Sequence, residues 1–196
     1  MSFDIKIELL NVTSPTVWRR IKVNKDISFH KLHLYIQAAF GWRNSHLYQF
    51  SENGFSSKIR IASPHDEEAA FDGTEVTIER IFFTMYNEYH SVKEKAKGLK
   101  YIYDYGDGWE HDISVIGFDR DGGSKAQLIN GQGACPPEDC GGVHGFEEVK
   151  KSLKTGEPSQ IHGESWVTWL EGCGYPNYDP NDFNIEEMSK QMRRII

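Results

Sequence analysis

Residues 99–118 constrain the fold most, because they have the pattern of a β-hairpin. Two runs rich in aromatic and β-branched residues flank Gly-Asp-Gly at 106–108, and Asp-Gly favours a two-residue turn between antiparallel strands. With such a turn, Asp104 lies opposite His111, and their Cβ atoms are about 5 Å apart. The segment therefore predicts antiparallel pairing that places a carboxylate beside an imidazole. The preferred interpretation is a charge-assisted pair that fixes the strand register, and the alternative is an acid–base site.

The first 41 residues predict two strands followed by a helix. Apolar residues alternate with polar ones over 3–9 and again over 17–23, which is typical of half-buried strands. A helix is predicted over 29–40, where apolar residues recur every three to four positions between an N-cap at Ser28 and a stop at Gly41.

Shorter patterns predict the remaining elements. Strands are predicted at 46–50 and 58–61, and helices over 76–86, 147–153, 165–171 and from Asn184 toward the C-terminus. A glycine-rich connection is predicted over 121–133 and an irregular loop over 135–146, because prolines and glycines oppose regular structure there. The order of elements lacks a βαβ cadence and favours an α+β fold with a mainly antiparallel sheet and packed helices.

Length and composition indicate one domain spanning 1–196. A chain of 196 residues with 38% hydrophobic residues can bury one sizeable core. The N-terminus lacks the pattern of a signal peptide, and apolar runs are too short for a membrane span. With only three cysteines, a disulfide framework is not expected. We therefore expect a soluble cytoplasmic protein that does not associate with membranes.

Two clusters of basic residues suggest a nucleic-acid partner, although a net charge of −7 argues against a wholly basic surface. One cluster combines Trp18, Arg19 and Arg20 with Lys22 and Lys25, and the other contains Lys93, Lys95, Lys97 and Lys100. Trp18 and Trp109 could stack on bases or on a peptide. The simpler interpretation is a solvated surface for the charges and core packing for most tryptophans.

A second candidate site is the loop over 135–146. Cys135, Cys140 and His144, with Cys173 downstream, could ligate zinc, but a four-residue gap between the first two cysteines does not match the usual two-residue knuckle. Packing of the cysteines as small hydrophobic residues is the preferred interpretation. Glu138 and Asp139 are predicted to pair with Arg19, Arg20 or backbone amides.

Five segments resemble the plasmid pRiA4b ORF-3-like family. They are Pro-Thr-Val-Trp-Arg-Arg-Ile (15–21), Leu-His-Leu-Tyr-Ile-Gln-Ala-Ala-Phe-Gly-Trp (32–42), Tyr-Asp-Tyr-Gly-Asp-Gly-Trp-Glu-His (103–111), Pro-Pro-Glu-Asp-Cys-Gly-Gly (136–142) and Asp-Pro-Asn-Asp-Phe (179–183). The resemblance implies a single α/β-roll-like domain, found in bacteria and archaea and often carried near mobile elements. It implies no established activity. Tyr105 departs from the family motif, which usually has Phe at that position.

Three functional hypotheses follow. The first is a non-catalytic binding or interaction module with a protein or nucleic-acid partner, because no complete catalytic constellation can be assembled. The second is a nucleic-acid-associated protein of mobile elements. The third is a hydrolase that uses Asp104, Asp107 and His111 of the hairpin together with the 135–146 loop, and it requires these two segments to share one cleft.

Overall fold

A computed structural model of the chain describes residues 1–58, 60–91, 99–123, 125–156, 160–161 and 164–195. The strands are β1 (Ser2–Leu9), β2 (Trp18–Asn24), β3 (Tyr48–Ser51), β4 (Ile61–Ala62), β5 (Phe71–Asp72), β6 (Leu99–Tyr103), β7 (Trp109–Asp119), β8 (Gln127–Gln132), β9 (Gln160–Ile161) and β10 (Glu164–Ser165). The helices are α1 (Phe29–Phe40), α2 (Glu79–Ser91), α3 (Gly142–Thr155), α4 (Trp166–Gly172) and α5 (Ile185–Arg193).

An eight-stranded sheet in the order β5-β4-β3-β6-β7-β1-β2-β8 carries the core. Its described neighbours pair antiparallel except β4 and β5, which are parallel, so the predicted α+β class with a mainly antiparallel sheet is confirmed. Ile5 and Ile7 of β1 pair with Val115 and Ile113 of β7 on the face that the helices cover, and all four side chains are buried. None of the helices in the described ranges is long and apolar enough to cross a membrane.

Helix α1 has the bounds that its sequence predicts. The Ser28 hydroxyl accepts a hydrogen bond from the backbone N–H of Lys31, and Gly41 ends the helix in the left-handed conformation with φ +99°. Leu32, Ile36 and Phe40 are buried, and burial of each such side chain contributes about 1.5–3 kcal/mol. Helix α1 is therefore a fixed support for the loop that follows it.

The predicted turn of the β6–β7 hairpin is wrong. Tyr103 pairs with Trp109 and Tyr101 pairs with His111, so a five-residue loop over 104–108 replaces the two-residue turn. Asp104 forms this loop, because its carbonyl accepts from Gly108 N at 2.7 Å and its carboxylate from Gly106 N at 2.8 Å. The residue opposite His111 is therefore Tyr101, three positions before Asp104. Successive side chains of a strand point to opposite faces, so a register shift by an odd number of residues changes which side chains share a face.

Two segments predicted to be irregular contain regular structure. Strand β8 lies within the predicted connection over 121–133. It is an edge strand, and its mostly polar side chains do not show the alternating apolar pattern from which a strand is predicted. Helix α3 begins at Gly142, inside the predicted loop over 135–146. By contrast, the helices predicted over 76–86, over 165–171 and from Asn184 are confirmed as α2, α4 and α5.

Arg19 lies on the core face of β2 and is 1% exposed. Its guanidinium donates to the carbonyl oxygens of Ala39 (2.7 Å), Gln132 (2.8 Å) and Gly133 (2.9 Å), and also to that of Trp18 at 2.8 Å. Burial lowers the pKa of Arg19 to about 10, so the group still carries its charge at neutral pH. The basic stripe predicted at 18–20 is therefore interrupted, because Arg19 holds strands β2 and β8 to α1.

The burial of Arg19 predicts that Arg19→Lys destabilises the fold far more than Arg20→Lys. A lysine has one nitrogen and leaves part of the carbonyl set unpaired, at about 1–3 kcal/mol for each buried group, so we expect a total loss of about 2–5 kcal/mol. Arg20 is a matched control, because its side chain is 43% exposed and pairs at 2.7 Å with the largely buried Asp4. Lysine can keep this single ion pair, so we expect a loss of about 1 kcal/mol or less. Urea unfolding of both variants gives the comparison, and equal midpoints would contradict it.

Candidate functional site

Three loops meet at the turn end of the β6–β7 hairpin. The first is the 41–47 loop after α1, the second is the 104–108 hairpin loop, and the third is the 135–141 segment before α3. They bring together His46, Asp104, Glu138 and Asp139, which we call the acidic junction. The hydrolase hypothesis requires the hairpin and the 135–146 segment to approach each other. Residues 104–108 and 138–142 do so, but His111 is not part of that contact.

The Nε2 atom of His46 is the centre of the acidic junction. It lies 3.2 Å from Asp139 Oδ1, 3.6 Å from Asp104 Oδ2 and 3.7 Å from Glu138 Oε2. Nε2 itself is buried and has no hydrogen-bond partner in the described part of the chain, so none of these carboxylates is aligned to accept from it. Asp104 and Glu138 are each 6% exposed, whereas the Asp139 side chain is 69% exposed. The junction therefore has a buried floor and opens to solvent at Asp139.

A closed ring of hydrogen bonds fixes the 41–47 loop. Neutral His33 contacts the Tyr101 hydroxyl through Nδ1 at 2.8 Å and Asn44 Oδ1 through Nε2 at 2.6 Å. Gln37 closes the ring, since its amide donates to the Tyr101 hydroxyl at 3.0 Å and accepts from Asn44 N at 3.0 Å. Burial lowers the pKa of His33 to about 3, which keeps the ring intact at neutral pH. The position of His46 is consequently set by the core.

Tyr103 and Glu138 connect the three loops directly. The Tyr103 hydroxyl donates to Glu138 Oε1 at 3.0 Å and accepts from Ser45 N at 3.0 Å. Glu138 Oε1 also accepts from Arg43 N at 2.8 Å. Glu138 was predicted to pair with an arginine side chain or with backbone amides, and the structure gives a backbone amide. The same hydroxyl lies 3.2 Å from Oε2, the oxygen nearest to His46, so these bonds hold the whole carboxylate in place.

Asp107 joins the hairpin loop to the start of α3. Its carboxylate accepts from Gly141 N at 3.2 Å, and a carboxylate at a helix N-terminus satisfies free N–H groups there. Gly142 is required at this contact, because a Cβ atom would lie 2.5 Å from the Asp107 carbonyl oxygen. Burial raises the pKa of Asp107, and the neighbouring charges of Asp104 and Asp139 raise it further. Negative charge is therefore concentrated around the junction.

Comparison with known proteins identifies the family. The family model of the plasmid pRiA4b ORF-3-like protein matches residues 1–187. The chain belongs to this family. It is 34% identical over 191 residues to the uncharacterized protein y4hQ of Sinorhizobium fredii (strain NBRC 101917 / NGR234), covering 95% of this chain and 88% of the relative.

A solved structure has the same fold. The crystal structure of the protein of unknown function MM3350 from Methanosarcina mazei Go1 superposes with a TM-score of 0.72 at 25% identity, covering 95% of this chain and 96% of that one. The solved structure supports the fold of the plasmid pRiA4b ORF-3-like family member described here, and the names of both relatives assign no activity.

In this family member, His111 lies in the core and is 0% exposed. Its ring packs edge-on against Phe40 and Trp42, and Nδ1 contacts the carbonyl oxygen of Tyr101 at 3.2 Å. The predicted cross-strand pair of Asp104 and His111 is therefore wrong, because the longer loop shifts the register. Asp104 belongs to the acidic junction, while His111 is a packing residue below it.

The predicted nucleic-acid residues are divided between the surface and the core. Trp18 lies on the outer face of the sheet, where its Nε1 donates to Gln132 Oε1 at 3.1 Å. Arg20 is beside it and forms a bidentate pair with Asp4 at 2.7 and 2.9 Å. Trp109 is buried and contributes to the core. Lys93, Lys95 and Lys97 lie outside the described residues.

The predicted cysteine set does not come together. In the described ranges, one group of three possible metal ligands has all its ligand atoms within 4.8 Å of one another. It consists of His46, Asp104 and Asp139 and contains no cysteine. Cys140 is buried in the core, and burial raises the pKa of its thiol, which opposes the thiolate form that zinc needs. Cys135 and Cys173 are half-buried, and His144 is exposed on α3.

Sequence reasoning missed His46 and Tyr103 as site residues. His46 was assigned only to the start of a predicted strand, and a single histidine before a strand carries no ligand pattern. Tyr103 is buried on the core face of β6, like the neighbouring tyrosines. What distinguishes it is the hydrogen bond from its hydroxyl to Glu138, which the sequence does not reveal. The detectable signal was the acidic pair at 138–139 together with the hairpin loop. The histidine between them becomes apparent only when the chain is folded.

The burial of His111 predicts an acid-dependent loss of stability. Burial lowers the pKa of His111 to about 3, whereas an unfolded histidine titrates near about 6.5. Between these values the unfolded chain binds a proton that the folded chain does not, so stability falls as pH decreases from 6.5 toward 3, by up to about 1.4 kcal/mol per pH unit.

We therefore expect His111→Gln to reduce the slope of unfolding free energy against pH between pH 6.5 and 4. His144→Gln, on the exposed face of α3, serves as the matched control and should retain the wild-type slope. Urea unfolding at a series of pH values measures both. An unchanged slope in His111→Gln would show that this histidine titrates alike in the folded and unfolded chains.

Proposed function

We propose that this protein is a non-catalytic binding module that accepts a positively charged group of its ligand at the acidic junction. The observation that carries the proposal is the convergence of three carboxylates on one imidazole. Asp104, Glu138 and Asp139 have a formal charge of −3, and in the described part of the chain their ion-pair contacts are all to His46. A single imidazole cannot balance that charge even when it is protonated.

Burial strengthens the attraction for a cation. Asp104 and Glu138 are almost fully buried, and charges in a region of reduced dielectric interact more strongly than charges in water. The raised pKa of Asp107 beside them has the same origin, since burial and nearby carboxylates disfavour further negative charge. A bound cation would relieve this repulsion, and that relief is a source of binding free energy.

Hydrogen bonds fix the polar groups of the junction, which supports the proposal. The hydrogen bonds at Asn44, Ser45 and Glu138 hold the polar groups before any ligand arrives, which reduces the entropic cost of binding. Leu47, 38% exposed, and Phe55, 55% exposed, place apolar surface on the adjoining loop and on the short 3-10 helix Gly54–Ser56 beside the hairpin loop. A few fixed polar groups within apolar surroundings are typical of ligand sites.

A binding role is favoured over the hydrolase alternative by the position of His111. The hydrolase hypothesis depends on a carboxylate that orients this imidazole for proton transfer. The imidazole instead lies under Phe40 and Trp42 at 0% exposure, where a substrate cannot reach it. Asp104, its intended partner, faces His46.

The proposal predicts that cations stabilise the protein and that anions do not. Thermal unfolding is measured with Mg²⁺, Mn²⁺, Zn²⁺, methylguanidinium and spermidine, and with phosphate and acetate, at constant ionic strength. At 100 times its Kd a bound cation contributes about 2.7 kcal/mol, which for this chain length raises Tm by about 5–10 °C.

Asp139→Asn should remove most of this increase, because it deletes the exposed charge of the junction. Asparagine tolerates the left-handed backbone at this position, where φ is +58°, so the variant preserves the loop. Asp121→Asn, at the far end of β7, is the control and should respond like the wild type. Stabilisation by phosphate, or a cation response that Asp139→Asn leaves intact, would contradict the proposal.

A further inference from the structure

We infer that the acidic junction binds a single divalent transition-metal ion through His46 Nε2 and one carboxylate oxygen each from Asp104 and Asp139. This inference rests on the proposed cation-binding function and specifies its ligand. The three side chains come from three separate loops, and their ligand atoms all lie within 4.8 Å of one another. Imidazole nitrogen and carboxylate oxygen are the donors that proteins use for zinc and for related dications.

Two of the three separations between the donor atoms are close to those in a metal polyhedron, and the third, between Asp104 and Asp139, is within 4.8 Å. Metal–ligand bonds of 2.0–2.2 Å place neighbouring ligands of a tetrahedral zinc ion about 3.3–3.6 Å apart. The Nε2 atom of His46 lies 3.2 Å from Asp139 Oδ1 and 3.6 Å from Asp104 Oδ2. The distance to Asp104 is too long for a good hydrogen bond. Both distances are compatible with a metal ion placed between the donor atoms.

The state of His46 Nε2 is a second, independent observation. The His46 side chain is 28% exposed, but Nε2 itself is buried and has no hydrogen-bond partner in the described ranges, and a buried polar atom without a partner is destabilising. A metal ion would use its lone pair.

Glu138 and Tyr103 lie next to the three proposed ligands without providing a ligand atom themselves. Glu138 Oε2 lies 3.7 Å from His46 Nε2, and the carboxylate is held by the Tyr103 hydroxyl and by Arg43 N. Such partners orient metal ligands and add negative charge near the ion. The exposure of Asp139, at 69%, leaves one side of the site open to a water molecule or to an incoming ligand atom.

A mixed set of one imidazole and two carboxylates favours a transition-metal dication over Mg²⁺ or Ca²⁺. The alkaline-earth ions prefer all-oxygen environments with many ligands, whereas imidazole suits zinc and its neighbours. We therefore expect Zn²⁺ to bind more tightly than Mg²⁺, and Mn²⁺ to bind with intermediate affinity.

Isothermal titration of the full chain, purified with chelator and then dialysed free of it, tests the inference. Zn²⁺ should bind at one equivalent. His46→Gln and Asp139→Asn should each weaken binding by at least about 100-fold, since even outer-shell changes cost about 10–100-fold. His144→Gln and Cys173→Ser are matched controls from the cysteine-containing set and should bind like the wild type. Circular dichroism of each variant verifies that it is folded.

Three outcomes overturn the inference. The first is zinc binding that survives in His46→Gln, the second is zinc binding lost in Cys173→Ser or His144→Gln, and the third is tighter binding of Mg²⁺ than of Zn²⁺. If methylguanidinium or spermidine stabilises the protein in an Asp139-dependent manner while metal ions do not bind, the metal assignment fails and the cation-binding function stands. If neither class binds at the junction, both fail.

Discussion

The hydroxyl of Tyr103 is the contact on which the arrangement of the site depends. It donates to Glu138 and accepts from Ser45 N, so one buried atom joins the hairpin, the 135–141 segment and the 41–47 loop. Glu138 extends the connection through Arg43 N. Buried polar groups stabilise a structure only when their partners are present. The position of His46 is therefore a consequence of this network and of the ring around His33.

The same network explains why a polar site can exist at the edge of an aromatic core. Tyr101, Tyr103 and Trp109 occupy the core face of the hairpin and are fully buried. Their rings pack against other apolar side chains. The hydroxyls of the two tyrosines form hydrogen bonds with α1 and with the loops. The Tyr101 hydroxyl contacts the side chains of His33 and Gln37 on α1, and the Tyr103 hydroxyl contacts Ser45 N and Glu138 in two of the loops. The core and the site are consequently parts of one structure.

Much of the fold could be predicted from local patterns. The cap at Ser28, the stop at Gly41 and the alternation in β1 determined α1 and the first strands without any long-range information. The hairpin was predicted, but its register was not. The Asp-Gly pair suggests a short turn, whereas the loop is set by Asp104, whose carboxylate and carbonyl both accept loop amides. Strand β8 gave no signal because an edge strand needs no apolar alternation.

The site was predictable only in part. Asp104 and the acidic pair at 138–139 were identified as candidates, but His46 was not, because its partners lie 58 and more residues away in the sequence. Arg19 was assigned to a basic surface, although the alternation over 17–23 already places position 19 on the apolar face with Ile21, where the structure has it. The case of His46 is different. Long-range contacts of this kind depend on packing and leave little trace in a single sequence.

The most direct measurement is a crystal structure of the chain soaked with Zn²⁺, with anomalous scattering recorded on both sides of the zinc absorption edge. The metal assignment predicts one anomalous peak about 2.0–2.2 Å from His46 Nε2 and from one carboxylate oxygen each of Asp104 and Asp139. A peak at Cys135, Cys140 or His144 with none beside His46 would contradict it.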